Sequence, residues 1–341
     1  MYAGNDNITG HSNCFFGWGA GRKNNTGHSN SFFGRNAGLS STTGNNNSFF
    51  GRAAGYWNTI QGNNSFFGQG AGSNNTGGSD NAFFGQAAGW NNSSGSYNTF
   101  IGQEAGQSAS SPLTGGSNVF VGQRTGWKNT SGHSNTFLGR NAGAYNTEGT
   151  SNTFVGRAAG YNNLTGDHNI FLGAYAGFNE LGSQRLYIDT TDTASPLIWG
   201  DFNENSVIIN GGFRAIAISG ASDGRWKKNI EPLISSLDKI MALQGVSFKW
   251  KMDEYSDMGM TEGRQIGLIA QDVEKDLPEL VTEDKDGYKA VSYSKLTVVI
   301  VEAVKELKHE NQREKDLLQE QLKKQQAEIE ELRAMIKELR G

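Results

Sequence analysis

The sequence predicts a mainly β protein: a trimeric parallel β-solenoid or β-roll shaft, then a small α+β domain, then a C-terminal coiled coil. Three observations predict it. Residues 1–181 repeat one motif with a period of seventeen. That stretch is dominated by Gly, Asn, Ser and Phe, and the first three disfavour helix interiors. The end of the chain carries heptads instead. The division that follows is 1–181 for ten repeats, 182–221 for a β connector or cap, 222–293 for the α+β domain and 294–341 for the terminal helix.

Each repeat reads N-x-F-[FVLI]-G-x-x-[AT]-G. Its Asn falls at 13, 30, 47, 64, 81, 98, 118, 135, 152 and 169. Eight of the nine intervals are seventeen residues; the ninth is twenty and holds "SASSPLTG", where Pro112 marks a loop insertion. The four residues from Asn to the second apolar position predict a short strand with one Phe inward. Phe32, Phe49, Phe66, Phe83, Phe137 and Phe154 are the expected core. The Gly after the strand permits a tight corner, and the Ala-Gly pair permits close backbone approach, giving two short strand-like edges per coil. At a strand spacing of about 4.8 Å, ten coils make a rod roughly 48 Å long. A coil this small encloses a thin core, so three chains wrapped around one shared core, a homotrimer, is the expectation. The stretch also resembles the left-handed β-roll heads of trimeric autotransporter adhesins.

Several function classes fall away. A net charge of −4 gives no case for binding nucleic acid. No run of about 18 apolar residues is present to insert in a membrane. One cysteine, Cys14, excludes an internal disulfide framework and a Cys-based zinc site. The repeats hold six acidic residues, too few for a calcium-binding solenoid with an Asp in nearly every turn. His11, His28, His133 and His168 lie in the loop beside the motif Asn, mostly several coils apart, so neither a metal nor a cofactor is expected. The regular Thr pairs of an ice-binding solenoid are lacking. The N-terminus has no signal pattern and begins inside a repeat, as the C-terminal part of a longer protein would. Tyr56, Trp90, Trp127, Tyr161 and Phe178 follow the Ala-Gly pair. As an exposed ladder they would stack on the sugar rings of a cell-surface glycan; the competing reading packs them over the corner or between chains.

Beyond Leu181 the period fails. Arg185–Asp189, Pro196–Gly200 and Ser206–Asn210 read as short strands that cap the open solenoid edge. Further on, Asn229–Leu243 has the spacing of an amphipathic helix, "VSFKWK" and "GYKAVSY" read as strands, and "RQIGLIAQ" leads into a short helix near Asp272–Asp276. From about Ser294, one heptad position holds Val301, Lys308, Lys315, Leu322, Ile329 and Ile336. Its partner holds Val304, Asn311, Leu318, Gln325, Leu332 and Leu339. Eight of these twelve are apolar, which predicts a coiled coil whose polar members specify register.

At the seam stands "SDGRWKKNI". A Ser hydroxyl becomes a nucleophile when a base takes its proton, and a neutral Lys serves as that base in Ser-Lys proteases. Lys227 and Lys228 are both near Ser222, and a plain turn with solvated lysines is the bland reading. The residues Ser222, Asp223, Arg225, Lys227, Asn229 and Ile230 resemble the start of the endosialidase-type intramolecular chaperone, a self-cleaving C-terminal domain of phage tail spikes and fibres. A related domain occurs in myelin regulatory factor. Trp226 stands where Leu is usual. "QIGLIAQDVEKDLPELV" and "VSYSKLTVVIVEAVKEL" match its later segments, so the resemblance covers about 222–310.

The resemblance implies that Ser222 attacks the carbonyl of Ala221 with Lys227 as general base, a single-turnover cut at Ala221–Ser222. Asp223, Arg225 and Asn229 would support the site. It also implies a fibre or spike segment on a virion tail or cell surface, in a phage or as an adhesin, used for attachment. The alternative is a glycan-binding trimeric adhesin whose C-terminal domain stays uncut as a clamp. Near-identical repeats make alignment ambiguous, which is the problem such a domain would solve.

Overall fold

The computed structural model describes residues 2–108, 111–211, 213, 222–255, 262–283 and 287–339. The chain divides into two compact units, parted near residue 214.

The first unit is a coil repeated around one strand position. Its strands are β1 (Cys14–Phe16), β2 (Ser31–Phe33), β3 (Ser48–Phe50), β4 (Ser65–Phe67), β5 (Ala82–Phe84), β6 (Thr99–Ile101), β7 (Val119–Val121), β8 (Thr136–Leu138), β9 (Thr153–Val155) and β10 (Ile170–Leu172). They pair in chain order, all parallel, and the seventeen-residue period sets the register: Phe32 faces Phe49, and Phe49 faces Phe66. One strand of three residues, not two edges, forms per coil. The Ala-Gly side is a run of turns, still tied rung to rung by bonds such as Gly38 N–H to Ala54 O (2.9 Å). Two glycines show why the corners are invariant in type. Gly51 has φ +137°, and a Cβ there would lie 2.4 Å from the Gly68 carbonyl oxygen. Gly55 has φ +57°, and its Cβ would lie 2.4 Å from the Phe49 ring.

The inner Phe of each strand from β2 to β10 is wholly buried. Their rings stack at 4.7–4.9 Å from Phe32 through to Phe171. Ala37, Ala54 and their equivalents complete the layer. The expectation of a core shared by three chains is therefore corrected: each coil closes around its own Phe, Ala and Asn. Buried amides make this possible. Asn47 donates from Nδ2 to the Gln61 carbonyl (2.8 Å), and its Oδ1 accepts the Asn64 N–H (3.0 Å). Polar groups thus fill the volume that apolar side chains leave, and the motif Asn amides are bonded from coil to coil. The twenty-residue interval leaves this ladder intact, since Asn118 N–H still reaches Asn98 Oδ1 (2.9 Å), while Leu113 enters the core.

Outward, the third residue of every strand is apolar: Phe in β1–β5, then Ile101, Val121, Leu138, Val155 and Leu172. The connector continues the sheet. β11 (Arg185–Ile188) adds in parallel to β10, and β12 (Ile198–Asp201) and β13 (Ser206–Ile209) follow antiparallel. Tyr187 lies edge-on to Phe171 at 5.3 Å and donates its hydroxyl to Glu180 (2.6 Å). Burial and then that carboxylate raise its phenol pKa. Arg185 pairs with Asp201 across β11 and β12.

The second unit is α+β. It comprises α1 (Ser236–Ala242), β14 (Val246–Phe248), β15 (Gln265–Gly267), α2 (Ala270–Asp276), β16 (Val281–Glu283), β17 (Lys289–Val291) and α3 (Tyr293–Leu339). β14 pairs with β15 and β16 with β17, both antiparallel. Val273, Leu277, Leu280 and Val299 form a small core with Ile240, Leu243, Leu268 and Leu296 around it. The helix expected over Asn229–Leu243 forms only from Ser236. Pro232 lacks an N–H and disfavours helical backbone at Glu231, and Asn229 and Ser235 are left-handed at φ +53°. Ile230 and Ile234 are left exposed as a result.

Candidate active site

Ser222 begins the second unit's described residues, and a short turn brings it to a lysine. Asp223 caps a 3-10 turn over Gly224–Trp226 by accepting the Arg225 N–H at 2.9 Å. The turn reverses the chain, and Lys227 follows it in extended backbone. Side chains five residues apart therefore meet: Lys227 Nζ lies 2.7 Å from Ser222 Oγ. The Arg225 guanidinium grips the Asp223 carboxylate at 2.7 Å. That bond, with the Arg225 N–H, holds the Asp223 carboxyl below its ordinary pKa and raises Arg225. This pair fastens the turn that carries both ends of the Ser-Lys contact. Of the two candidate lysines, Lys227 makes the contact. Asn229 contributes a left-handed bend just after it. Ala221 lies outside the described residues. Ser222 and Lys227 are both exposed on the single chain.

The arrangement has a defined chemical capacity. As an ammonium, Lys227 donates to Ser222 Oγ. As a free amine it would accept the hydroxyl proton along the same line. Base chemistry requires the neutral amine.

The aromatic positions lie on the shaft, each against its own coils. Tyr56 meets Trp57 edge-on at 4.9 Å. Trp90 covers Gly70, where a Cβ would lie 2.3 Å from its ring. Trp127 donates its indole N–H to Gln107 (2.9 Å) and lies under Arg124 and Lys128. Tyr161 stacks on Phe178 at 4.9 Å, and burial followed by Tyr145 raises its phenol pKa. Tyr145 joins Trp127 to Tyr161, with ring centres 6.1 and 5.0 Å away. It was not among the expected ladder residues because Ala144 holds the position after the Ala-Gly pair. An aromatic one residue later was the signal, and Trp57 repeats it.

Residues 222–282 match the family described as Chaperone of endosialidase, and the match begins at Ser222 itself. Two curated relatives are the "Long tail fiber protein Gp37" of Enterobacteria phage Ox2 and that of Enterobacteria phage M1. Each is 32% identical over 105 residues, 30% of this chain and 40% of the relative. The chain thus spans about two-fifths of the length of these relatives.

Proposed function

We propose that this chain is a segment of a phage tail fibre, in which the second unit brings three copies into alignment and then releases the shaft by cutting the Ala221–Ser222 bond. The observation that carries the reading is the 2.7 Å Ser222–Lys227 contact at the first residue of the family match. The Lys227 amine takes the hydroxyl proton as Ser222 Oγ bonds to the Ala221 carbonyl carbon. The C–N bond then breaks, the leaving nitrogen gains a proton, and Ala221 is held as an ester on Oγ. Water hydrolyses the ester, leaving a carboxylate on Ala221 and a free α-amine on Ser222. Asp223 and Arg225 act as positioning residues through the turn they close.

Assembly fits this chemistry. The second unit has a small core and leaves Ile230, Ile234, Met241 and Ile266 at 73–84% exposure. Val304, Leu318, Leu322 and Leu332 are exposed along α3. A single chain would leave this surface in water, whereas a homotrimer buries it, and neighbouring copies closing over the Ser-Lys pair would exclude water from it. The cut then follows assembly.

Intact mass of the purified full-length protein tests the reading. Wild type should yield a C-terminal fragment beginning at Ser222, and Ser222→Ala and Lys227→Ala should stay full length. Uncut wild type in a well-folded trimer would overturn self-cleavage and favour a permanent clamp. A second reading concerns attachment: Trp90 is exposed on the shaft and offers a ring face to a cell-surface glycan. Unchanged binding on a glycan array after Trp90→Ala and Trp127→Ala would leave these rings as packing.

A further inference from the structure

Outside the Phe stack, a second apolar row runs the length of the first unit. From β1 to β10 the third residue of each strand lies beside its equivalent in the next coil, from Phe16 beside Phe33 to Leu172 beside Ile188 of β11. The outer Phe rings of β2–β5 stack on one another at 4.7–4.9 Å. Unlike the inner row, this one reaches solvent: Phe16 is 73% exposed, Phe84 40%, Ile101 42% and Leu138 46%. No charged residue lies on it from β1 to β11.

The row is also a ridge. On one side lies the first strand position, short or slender through β2–β6: Ser, Ser, Ser, Ala, Thr. On the other lies the corner glycine of every coil, such as Gly34, Gly51 and Gly68, with no side chain. Beyond the glycines comes a polar row with Arg35, Arg52, Gln69 and Gln86, which rims the ridge. A ridge between two grooves is complementary to itself. When the ridge of one copy enters a groove of the next, the contact is heterologous, and a ring of copies closes it.

We propose that this outer ridge is where neighbouring copies of the chain meet along the shaft, parallel and in register. The inference rests on the trimeric reading above and says which face of the shaft assembles. The period identifies the occupant. Only a partner with one rung per about 4.8 Å can match every rung of the ridge, and a second copy has that period by construction. Parallel copies in register also set Phe rungs beside Phe rungs and aliphatic beside aliphatic. Eleven rungs make a strip of about 48 Å by about 10 Å, or about 500 Å², the upper end of what a monomer leaves in water. A stable association takes about 800 Å² from each partner, and the strip supplies a large part of that area.

The test uses the full-length protein in a Cys14→Ser background, with one new thiol at a time. Phe67→Cys places it on the ridge, Val121→Cys places it further along, and Thr76→Cys places it on the far corner. Light scattering gives the number of copies, and a short bismaleimide gives the proximity of identical positions. The expected result is a three-copy mass, with covalent pairs on a denaturing gel for Phe67→Cys and Val121→Cys and none for Thr76→Cys. A three-copy mass with no pairs at either ridge position, and rapid maleimide labelling there, would overturn this inference while the trimeric reading stands. That outcome would leave the ridge open for a different protein. A one-copy mass would overturn both.

Discussion

Asn64 shows how one side chain replaces a larger core. Its amide donates to the Gly78 carbonyl (3.1 Å) and to Asn58 Oδ1 (3.2 Å), and its Oδ1 accepts the Asn81 N–H (3.0 Å). Asn64→Ala would leave the buried Asn81 N–H without its partner, at about 1–3 kcal/mol, while the Gly78 carbonyl and Asn58 Oδ1 keep their bonds from Asn75 (2.6 and 2.7 Å). Urea denaturation should show the midpoint fall sharply, and Asn64→Leu should not rescue it. Adjacent phenylalanines differ just as clearly. Phe66 is wholly buried and Phe67 is not, so Phe66→Ala should cost about 3–5 kcal/mol and Phe67→Ala much less within one chain. The inner Phe was legible because it alternates with the outer position along a strand. A second ladder was not: Asn58, Asn75 and Asn92 lie buried and bonded in series at 2.7 and 2.6 Å. Ser41 and the Pro112 insertion interrupt its seventeen-residue spacing, which hid it beside the uninterrupted motif Asn.

At the scale of elements, α1 is short because Pro232 and two left-handed residues precede it, and it is held by a residue far along the chain. Glu306, on α3, accepts the N–H of Leu237 (2.7 Å) and of Ser236 (3.1 Å). These bonds, Leu237 first, lower its pKa from the ordinary value near 4.5. A depressed carboxylate stabilises the fold above the unfolded value, and that contribution is lost as pH falls from near 4.5 through the lowered folded value. Glu306→Gln should therefore lower the melting temperature of the second unit at neutral pH. It should also flatten the loss of stability on acidification, read by circular dichroism along a pH series. The heptad pattern located α3 to within one residue of its start, since forty-seven residues of uninterrupted helix tolerate no ambiguity of period. The extent of α1 was illegible to periodicity because backbone restrictions, not apolar spacing, decided where it begins.

For the whole molecule the difficulty is alignment. Slipping one copy by one coil forfeits roughly one rung in ten and remakes the others, and on the outer ridge it changes only a few neighbours. Such pairings are non-local, slow to form and exposed while they wait. The first unit expressed alone should give mixed, aggregating assemblies; prompt, uniform trimers would remove the need for an aligning domain. Release of that domain should also trap the product kinetically. After melting and cooling, cleaved protein should fail to recover its shaft, whereas uncut Ser222→Ala should recover most of it, as measured by circular dichroism and light scattering.

The sequence by itself determined the coil length, the inward Phe, the short strands after the repeats and the long helix. Each of these follows from local spacing, which a chain states directly. Tertiary structure decided that every coil closes around its own core and that the Ala-Gly side is turn and not strand. These depend on how buried amides fill a seventeen-residue loop, and volume inside a closed coil is a property of the fold that no spacing of residues reveals.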